Sequence, residues 1–136
     1  MSRILVVDDN TSMREAVCEM LQQAGYETIS VENGRFAVQI HRSDPVDLII
    51  TDLFMPDTDG LEVIYQFRHE FPNVKIIAIS GGGSRGLVEL LAVAKKMGAE
   101  RTLMKPFSWE DLLAAVQELF DESASADTPA TSRPDV

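Results

Sequence analysis

Three aspartates, one serine and one lysine stand where short apolar runs of the sequence end. Asp8 and Asp9 follow the first run, Asp52 the third, Ser80 the fourth and Lys105 the last. Together, carboxylates, a hydroxyl and an ammonium group are able to bind a metal ion and a phosphate. The repeated position indicates that the five side chains form one site, if the runs lie side by side in the fold.

The charges of this set favour a particular chemistry. Two carboxylates about 4 Å apart repel each other by roughly 4 kcal/mol at an effective dielectric constant of 20. Three of them therefore favour a cation, and Mg²⁺ binds one or two carboxylates together with water and phosphate oxygens. A metal-bound aspartate beside a lysine and a hydroxyl suits phosphoryl transfer, with the carboxylate as nucleophile and an acyl phosphate as product.

The segments between the apolar runs have the period of helices, so strands and helices alternate along the chain. The predicted strands cover residues 4–7, 28–31, 46–51, 74–79 and 101–104. The predicted helices cover residues 11–24, a segment capped by Asn33, a segment from Gly60 to before Pro72, residues 84–97, and a segment from a cap at Ser108 to Phe120.

This alternation predicts a doubly wound α/β domain with a parallel sheet. The runs at residues 4–7, 46–51 and 74–79 lack a clean alternation of polar and apolar residues, as expected of strands that helices cover on both faces. In an open parallel sheet, ligands bind beyond the carboxyl ends of the strands. The five candidate side chains are therefore expected at one edge of the sheet.

Composition excludes several classes of protein. The 136 residues suffice for one domain, and 45% hydrophobic with 25% charged residues is typical of a globular chain. The net charge of −10 and the lack of a basic patch argue against direct nucleic-acid binding. No apolar stretch reaches the roughly 18 residues of a membrane span. Because the first residues already have the pattern of a strand, we expect no signal peptide. Because Cys18 is the only cysteine, no internal disulfide can form, and we predict a cytoplasmic location.

The composition changes at the end of the chain. From Asp121 onward, serine, alanine, threonine, proline and acids replace the branched and aromatic residues. Such a segment buries too little apolar surface to order itself. We therefore predict a folded domain over residues 1–121 and a flexible acidic tail or linker over residues 122–136, with a docking segment as the alternative.

The ordered set of motifs resembles the CheY-like receiver domain of response regulators in two-component signalling. The resemblance covers residues 2–121 and implies a five-stranded sheet of order 2-1-3-4-5 flanked by five helices. Each motif alone is weak, but the whole set, in order and at strand ends, is specific. The motifs are Asp8-Asp9, Asp52, Met55-Pro56, Asp59-Gly60, Ser80 and Lys105-Pro106-Phe107.

The resemblance implies that Asp52 is the phosphoacceptor and that the cofactor is Mg²⁺. A histidine kinase or a histidine phosphotransfer protein would supply the phosphoryl group. Asp9 would bind the metal directly and Asp8 would act through water, while Asp52 and the backbone carbonyl of Phe54 would complete the protein ligands.

The same resemblance implies roles for two further motif residues, Ser80 and Lys105. Ser80 would bond a phosphoryl oxygen and report the phosphorylated state, and Lys105 would pair with the phosphoryl group. The bond between Lys105 and Pro106 is expected to be cis, a form that is common only before proline.

Three features depart from the family pattern or modify it. Thr102 stands where receivers usually have a tyrosine or phenylalanine, so no ring can turn inward during activation. Gly81, Gly82 and Gly83 give the loop after the fourth strand unusual backbone freedom, and we expect this loop to carry the conformational change. Phe54 lies two residues after Asp52, where it could influence access of water to an acyl phosphate.

As partners, the resemblance implies the phosphoryl donor and a downstream protein, the latter bound through the fourth helix, fifth strand and fifth helix. It implies no direct contact with nucleic acid or membrane, and a monomer or a weak phosphorylation-dependent dimer. The chain would be a signalling switch that modifies itself, and not a turnover enzyme.

Two other families use similar residues. Haloacid dehalogenase-like phosphatases have a strand-end aspartate nucleophile, but their first motif needs a second aspartate where Asn10 stands here. A flavodoxin-like FMN binder would need a hydroxyl-rich loop after the first strand, where this chain has acids.

Taken singly, Asp8, Asp9 or Ser80 could also cap a helix, and Lys105 could be a surface residue. Outside the site we predict His41 and His69 as surface residues and Trp109 as a packing residue.

Overall fold

The structure is a computed structural model that describes residues 2–55, 58–81 and 87–127. Five strands alternate with five helices. The strands are β1 (Arg3–Val7), β2 (Glu27–Val31), β3 (Leu48–Asp52), β4 (Lys75–Ser80) and β5 (Arg101–Met104). The helices are α1 (Thr11–Gln23), α2 (Gly34–Ser43), α3 (Gly60–Glu70), α4 (Leu87–Met97) and α5 (Trp109–Asp127).

The five strands form one parallel sheet of order β2-β1-β3-β4-β5, which confirms the predicted fold class and strand order. A short antiparallel ribbon pairs Phe54–Met55 with Thr58–Asp59 between β3 and α3. Within the described ranges, no helix is long and apolar enough to cross a membrane.

Helices cover both faces of the sheet, which explains why the central strands are apolar throughout. Leu5, Ile49 and Ile76 point to one face, where they pack with α2, α3 and α4. Their chain neighbours Ile4 and Ile50 point to the other face, toward α1 and α5. Side chains alternate across a strand, so every position of such a strand is buried in one core or the other.

Polar caps and glycines delimit the helices, and the caps predicted at Asn33 and Ser108 are present. Asn10 accepts a hydrogen bond from the Met13 amide at the start of α1, and Asn33 does the same for α2. The Ser108 hydroxyl accepts from the Asp111 amide at the start of α5. Gly25 follows α1 with a φ of 99°, a conformation that glycine adopts most easily.

The last helix is longer than predicted. It ends at Asp127 instead of Phe120, so residues 122–127 of the predicted flexible tail are helical. Arg101 on β5 pairs with Glu118 and Glu122 of this helix, which ties the helix to the sheet beyond the predicted end. The remainder of the predicted tail, residues 128–136, lies outside the described residues, as does the predicted start of α4 at Ser84.

The prediction that His41 is a surface residue is wrong. His41 is only 6% exposed and packs edge-on against Phe71 at a ring distance of 4.3 Å. Its Nδ1 accepts a hydrogen bond of 3.0 Å from the Val46 amide. Burial lowers the pKa of His41, while the nearby Asp47 carboxylate acts in the opposite direction. The ring is thus a buried, neutral part of the packing between α2 and α3.

Candidate functional site

Three aspartates meet at the carboxyl edge of the sheet, as predicted. Val7 and Thr51 are paired in the ladder between β1 and β3, so the chain reaches Asp8 and Asp52 side by side. Carboxylate oxygens of Asp8, Asp9 and Asp52 lie within 4.8 Å of one another. Asp8 and Asp52 are each only 6% exposed, whereas Asp9 faces solvent.

Hydrogen bonds orient the two buried carboxylates. Oδ1 of Asp8 accepts from the Asn10 amide at 2.9 Å, and Oδ1 of Asp52 accepts from the Phe54 amide at 3.0 Å. Burial raises the pKa of Asp8, and the charges of Asp52 and Asp9 add to this effect, although the Asn10 hydrogen bond and Lys105 oppose it. The ionised site is therefore under electrostatic strain that a cation would relieve.

Lys105 supplies a positive charge between the buried acids. Its Nζ lies 3.0 Å from Oδ2 of Asp52 and 3.5 Å from Oδ2 of Asp8. Burial acts to lower the pKa of Lys105, but the hydrogen bond and charge of Asp52, with the charge of Asp8, outweigh it and raise the pKa. The ammonium group is thus charged and fixed beside the candidate nucleophile.

Gly81 allows the lysine to approach. A Cβ atom at position 81 would lie 2.4 Å from Cβ of Lys105, which is far too close for two carbon atoms. The Lys105 amide also donates a 2.7 Å hydrogen bond to the Ser80 carbonyl. The peptide bond between Lys105 and Pro106 is cis. The end of β4 and the residue after β5 are therefore in direct contact.

Ser80 carries a polar atom without a partner. The residue is fully buried, and its hydroxyl oxygen has no hydrogen-bond partner within residues 2–55, 58–81 and 87–127. Buried hydroxyls are nearly always hydrogen-bonded, and an exception calls for an explanation. A phosphoryl oxygen at this edge of the sheet would provide the missing acceptor.

The residues present fit a divalent cation. Carboxylate oxygens of three aspartates lie within 4.8 Å of one another, which offers Mg²⁺ the one or two carboxylate ligands it usually takes alongside water and phosphate oxygens. Among the described residues, Lys105 is the cation that pairs with Asp8 and Asp52. Phe54, the predicted backbone ligand, follows Asp52 by two residues, and its ring is 48% exposed.

Of the remaining residues singled out in the sequence, some lie within the described residues and others do not. Thr102 is half-buried on β5, where it pairs with Ala78 of β4. The strand β4 therefore lies between Thr102 and β3, the strand that ends at Asp52. Gly82 and Gly83 lie outside the described residues, and so does Pro56 of the Met55-Pro56 motif. Trp109, predicted as a packing residue, is 44% exposed, and its ring contacts Phe107 edge-on.

One residue at the site escaped the sequence analysis. Arg14 of α1 donates a hydrogen bond of 2.7 Å from Nη1 to the backbone carbonyl of Asp8. Its position six residues after Asp8, just beyond the first turn of a helix that Asn10 caps, was the available signal. The side chain of an arginine at this position extends toward the N-terminus of the helix and so reaches the end of β1.

This fold and this site define a class of signalling domain. The response regulator receiver domain model matches residues 4–117, and the chain belongs to that family. The membership decides against the phosphatase and flavodoxin-like alternatives raised by the sequence.

Individual relatives agree with this assignment. The chemotaxis protein CheY of Listeria monocytogenes is 32% identical over 119 residues, which span 87% of this chain and 98% of that protein. The response regulator MprA of Mycolicibacterium vanbaalenii is 34% identical over 125 residues. A CheY-like receiver domain protein from Methanospirillum hungatei has a solved structure with a TM-score of 0.85 and 27% identity, covering 93% of this chain and 98% of that one.

The length of these relatives differs. The chain spans nearly all of the CheY relative but only 53% of MprA, and only 17% of the sensor kinase/phosphatase CqsS of Vibrio cholerae, to which it is 35% identical over 117 residues. Receiver domains therefore occur both nearly alone and as parts of longer proteins among the relatives.

Proposed function

We propose that this chain is a phosphorylation-controlled switch in which Asp52 accepts a phosphoryl group in a Mg²⁺-dependent reaction. The observation that carries the proposal is the contact of 3.0 Å between Lys105 Nζ and Asp52 Oδ2 inside a cluster of three carboxylates. A cation fixed against a buried nucleophile is suited to hold an anionic phosphoryl group as it approaches.

The metal would be held by the carboxylates of Asp8, Asp9 and Asp52, with the backbone carbonyl of Phe54 as a further ligand. When bound, Mg²⁺ would neutralise negative charge on the phosphoryl oxygens during transfer. The cofactor rests on the donor set described above and on membership of the receiver family.

The transfer step is a displacement at phosphorus. A carboxylate oxygen of Asp52 forms a bond to phosphorus, and the bond between phosphorus and the donor's nitrogen or oxygen breaks, with its electron pair leaving on the donor atom. The Phe54 amide fixes the Asp52 carboxylate through Oδ1. Before transfer the Lys105 ammonium group pairs with the Asp52 carboxylate, and after transfer it would pair with the phosphoryl oxygens, so that the negative charge keeps a partner throughout.

The phosphoryl group would then complete the hydrogen bonding of Ser80. Its buried hydroxyl gains an acceptor, and the end of β4 shifts toward the acids. Because Thr102 has no ring to turn, the movement passes into the loop after β4 rather than along β5. The chain thereby changes its own state, without turnover of an external substrate.

The partners follow from this function. A histidine kinase or a histidine phosphotransfer protein would supply the phosphoryl group. Output would pass to a protein bound at α4, β5 and α5, the elements next to the Ser80 end of the sheet. The cytoplasmic location stays a prediction.

Intact-mass spectrometry after incubation with acetyl phosphate tests the proposal. We expect one added phosphoryl group with Mg²⁺, none with a chelator, and none in Asp52→Asn. Asp111→Asn is the matched control, since Asp111 is exposed at the start of α5. Modification of Asp52→Asn at the rate of the unmodified chain would contradict the proposal.

A further inference from the structure

Three hydrogen bonds hold Asp8, and one of them comes from a side chain, that of Arg14. The Asp8 amide donates to the Val31 carbonyl at 3.2 Å, and its Oδ1 accepts from the Asn10 amide. Its backbone carbonyl accepts the 2.7 Å hydrogen bond from Nη1 of Arg14. Arg14 is half-buried, so this contact is shielded from water on part of its surface.

The carbonyl that Arg14 binds lies in the peptide that joins two of the acids. β1 ends at Val7, so the Asp8 carbonyl lies beyond the end of the strand. The same peptide unit continues into Asp9, whose exposed carboxylate receives no hydrogen bond within the described parts of the chain. The direction of that peptide therefore sets where the Asp9 side chain lies relative to Asp8 and Asp52.

We propose that Arg14 is a positioning residue of the metal site, which it serves by fixing the peptide between Asp8 and Asp9. A guanidinium donor gives a stronger and more directional hydrogen bond than a neutral group. Groups that orient metal ligands from behind commonly set the affinity of the site. This inference rests on the proposed function, because the metal site is the one proposed above.

Positioning and charge make opposite predictions for Arg14. If the side chain only added positive charge near the acids, its removal would strengthen the binding of a divalent cation. If the side chain holds the peptide, its removal releases Asp9 and weakens binding. The sign of the change in Mg²⁺ affinity therefore separates the two roles.

Isothermal titration calorimetry with MgCl₂ measures this sign on the unphosphorylated protein. We expect Arg14→Gln to bind Mg²⁺ about tenfold more weakly. Arg14→Lys, which keeps the charge and a donor, should recover most of the affinity. Lys96→Gln is the matched control for net charge, because Lys96 is exposed in the last turn of α4, and its affinity should equal that of the unmodified chain.

Amide hydrogen exchange adds a readout that does not depend on the metal. In Arg14→Gln, the amides of Asp9 and Asn10 should exchange faster, while those of β3 should not change. Thermal unfolding in a chelator should remain cooperative. Loss of the cooperative fold would contradict the proposal, because Arg14 would then be a structural residue.

The remaining outcomes are distinct from one another. Equal or tighter Mg²⁺ binding by Arg14→Gln would overturn the role of Arg14 and leave the proposed function standing. Absence of Mg²⁺ binding by the unmodified chain would overturn the metal site and Arg14's part in it together.

Discussion

Ser80 shows at the scale of a single residue how a site can be prepared for an absent group. Its buried hydroxyl has no partner in the described part of the chain, whereas the buried Thr51 hydroxyl donates to the Asp52 carbonyl at 3.1 Å. A buried polar group without a partner destabilises the fold by about 1 to 3 kcal/mol. The unphosphorylated state therefore retains a cost that binding of a phosphoryl oxygen would remove.

We predict that Ser80→Ala raises the free energy of unfolding of the unphosphorylated chain by up to about 1 kcal/mol. The matched variant Thr51→Val loses a real hydrogen bond and should lower it by about 1 kcal/mol. Urea denaturation in the presence of a chelator measures both. Equal destabilisation by the two variants would show that Ser80 has a partner after all.

Asp8 presents the same conflict in terms of charge. Its carboxylate is buried beside two other acids, and Lys105 lies closer to Asp52 than to Asp8. Asp8→Asn keeps an oxygen that can accept from the Asn10 amide but removes the charge. We predict that, in the presence of a chelator, this variant has a higher free energy of unfolding than the unmodified chain, because the buried charge is removed.

Added Mg²⁺ should reverse that ranking. At a given concentration, a ligand that binds only the folded state stabilises it more when it binds more tightly, and Asp8→Asn should bind the ion more weakly. Thermal unfolding with increasing MgCl₂ measures the effect, with Asp111→Asn as the exposed control. If Asp8→Asn gained as much stability from Mg²⁺ as the unmodified chain, Asp8 would not belong to the metal site.

At the scale of elements, the connection from β3 to α3 decides where Asp52 points. Gly60 opens α3, and a Cβ atom there would lie 2.4 Å from Cα of Leu53, the residue after Asp52. This is backbone, which cannot move aside without shifting Asp52. The glycine is therefore required by close packing rather than by an unusual backbone conformation.

We predict that Gly60→Ala slows phosphorylation of Asp52 by acetyl phosphate and lowers the midpoint of thermal unfolding. Gly25→Ala is the control, because nothing lies within 4 Å of a Cβ at that position and only its φ of 99° opposes a side chain. This control should lose stability but keep the phosphorylation rate. Equal rates for both variants would rule out Gly60 as a determinant of the Asp52 position.

The elements also show how far the sequence alone could go. The apolar runs predict the strands of the sheet, and the acids at their ends predict the edge where the site lies. Both features are visible in short local stretches of sequence. The ion pairs of Arg101 on β5 with Glu118 and Glu122 of α5 form only after folding, so local pattern does not show this contact near the end of the helix. Arg14 bonds to the backbone carbonyl of Asp8, and every residue has such a carbonyl. The residue type at the accepting position therefore gives no sign of the contact.

At the scale of the whole molecule, His41 connects folding to pH. The neutral ring is buried between α2 and α3, and burial lowers its pKa below the value of about 6.5 expected in the unfolded chain. The unfolded state therefore binds more protons than the folded state as pH falls below that value. The stability contributed by the neutral ring is present above about pH 6.5 and is lost as pH falls through the folded pKa.

We predict that the free energy of unfolding rises between about pH 5 and pH 7, and that His41→Asn removes part of this rise. Asparagine retains an oxygen able to accept from the Val46 amide. His69, exposed on α3, is the matched control, and His69→Gln should leave the slope in place. Urea denaturation at a series of pH values gives the slopes, and an unchanged slope in His41→Asn would contradict the assignment.

The burial of His41 illustrates why the sequence analysis failed there. Helical spacing places His41 on the same face of α2 as Ala37 and Val38, which was the available signal. The rings that cover it are Phe67 of α3 and Phe71 just after the end of α3, and their approach depends on the packing of α2 against α3. A polar residue on a buried face is recognised only when its partner, here the Val46 amide, is known.

The central claim is that Asp52 takes the phosphoryl group, and chemical trapping tests it most directly. Sodium borohydride reduces an acyl phosphate of aspartate to homoserine, which peptide mass spectrometry locates in the sequence. After incubation with acetyl phosphate and Mg²⁺, we expect homoserine at position 52 and at no other aspartate. Homoserine at Asp8 or Asp9, or none at position 52 in a chain that has gained a phosphoryl group, would contradict the account.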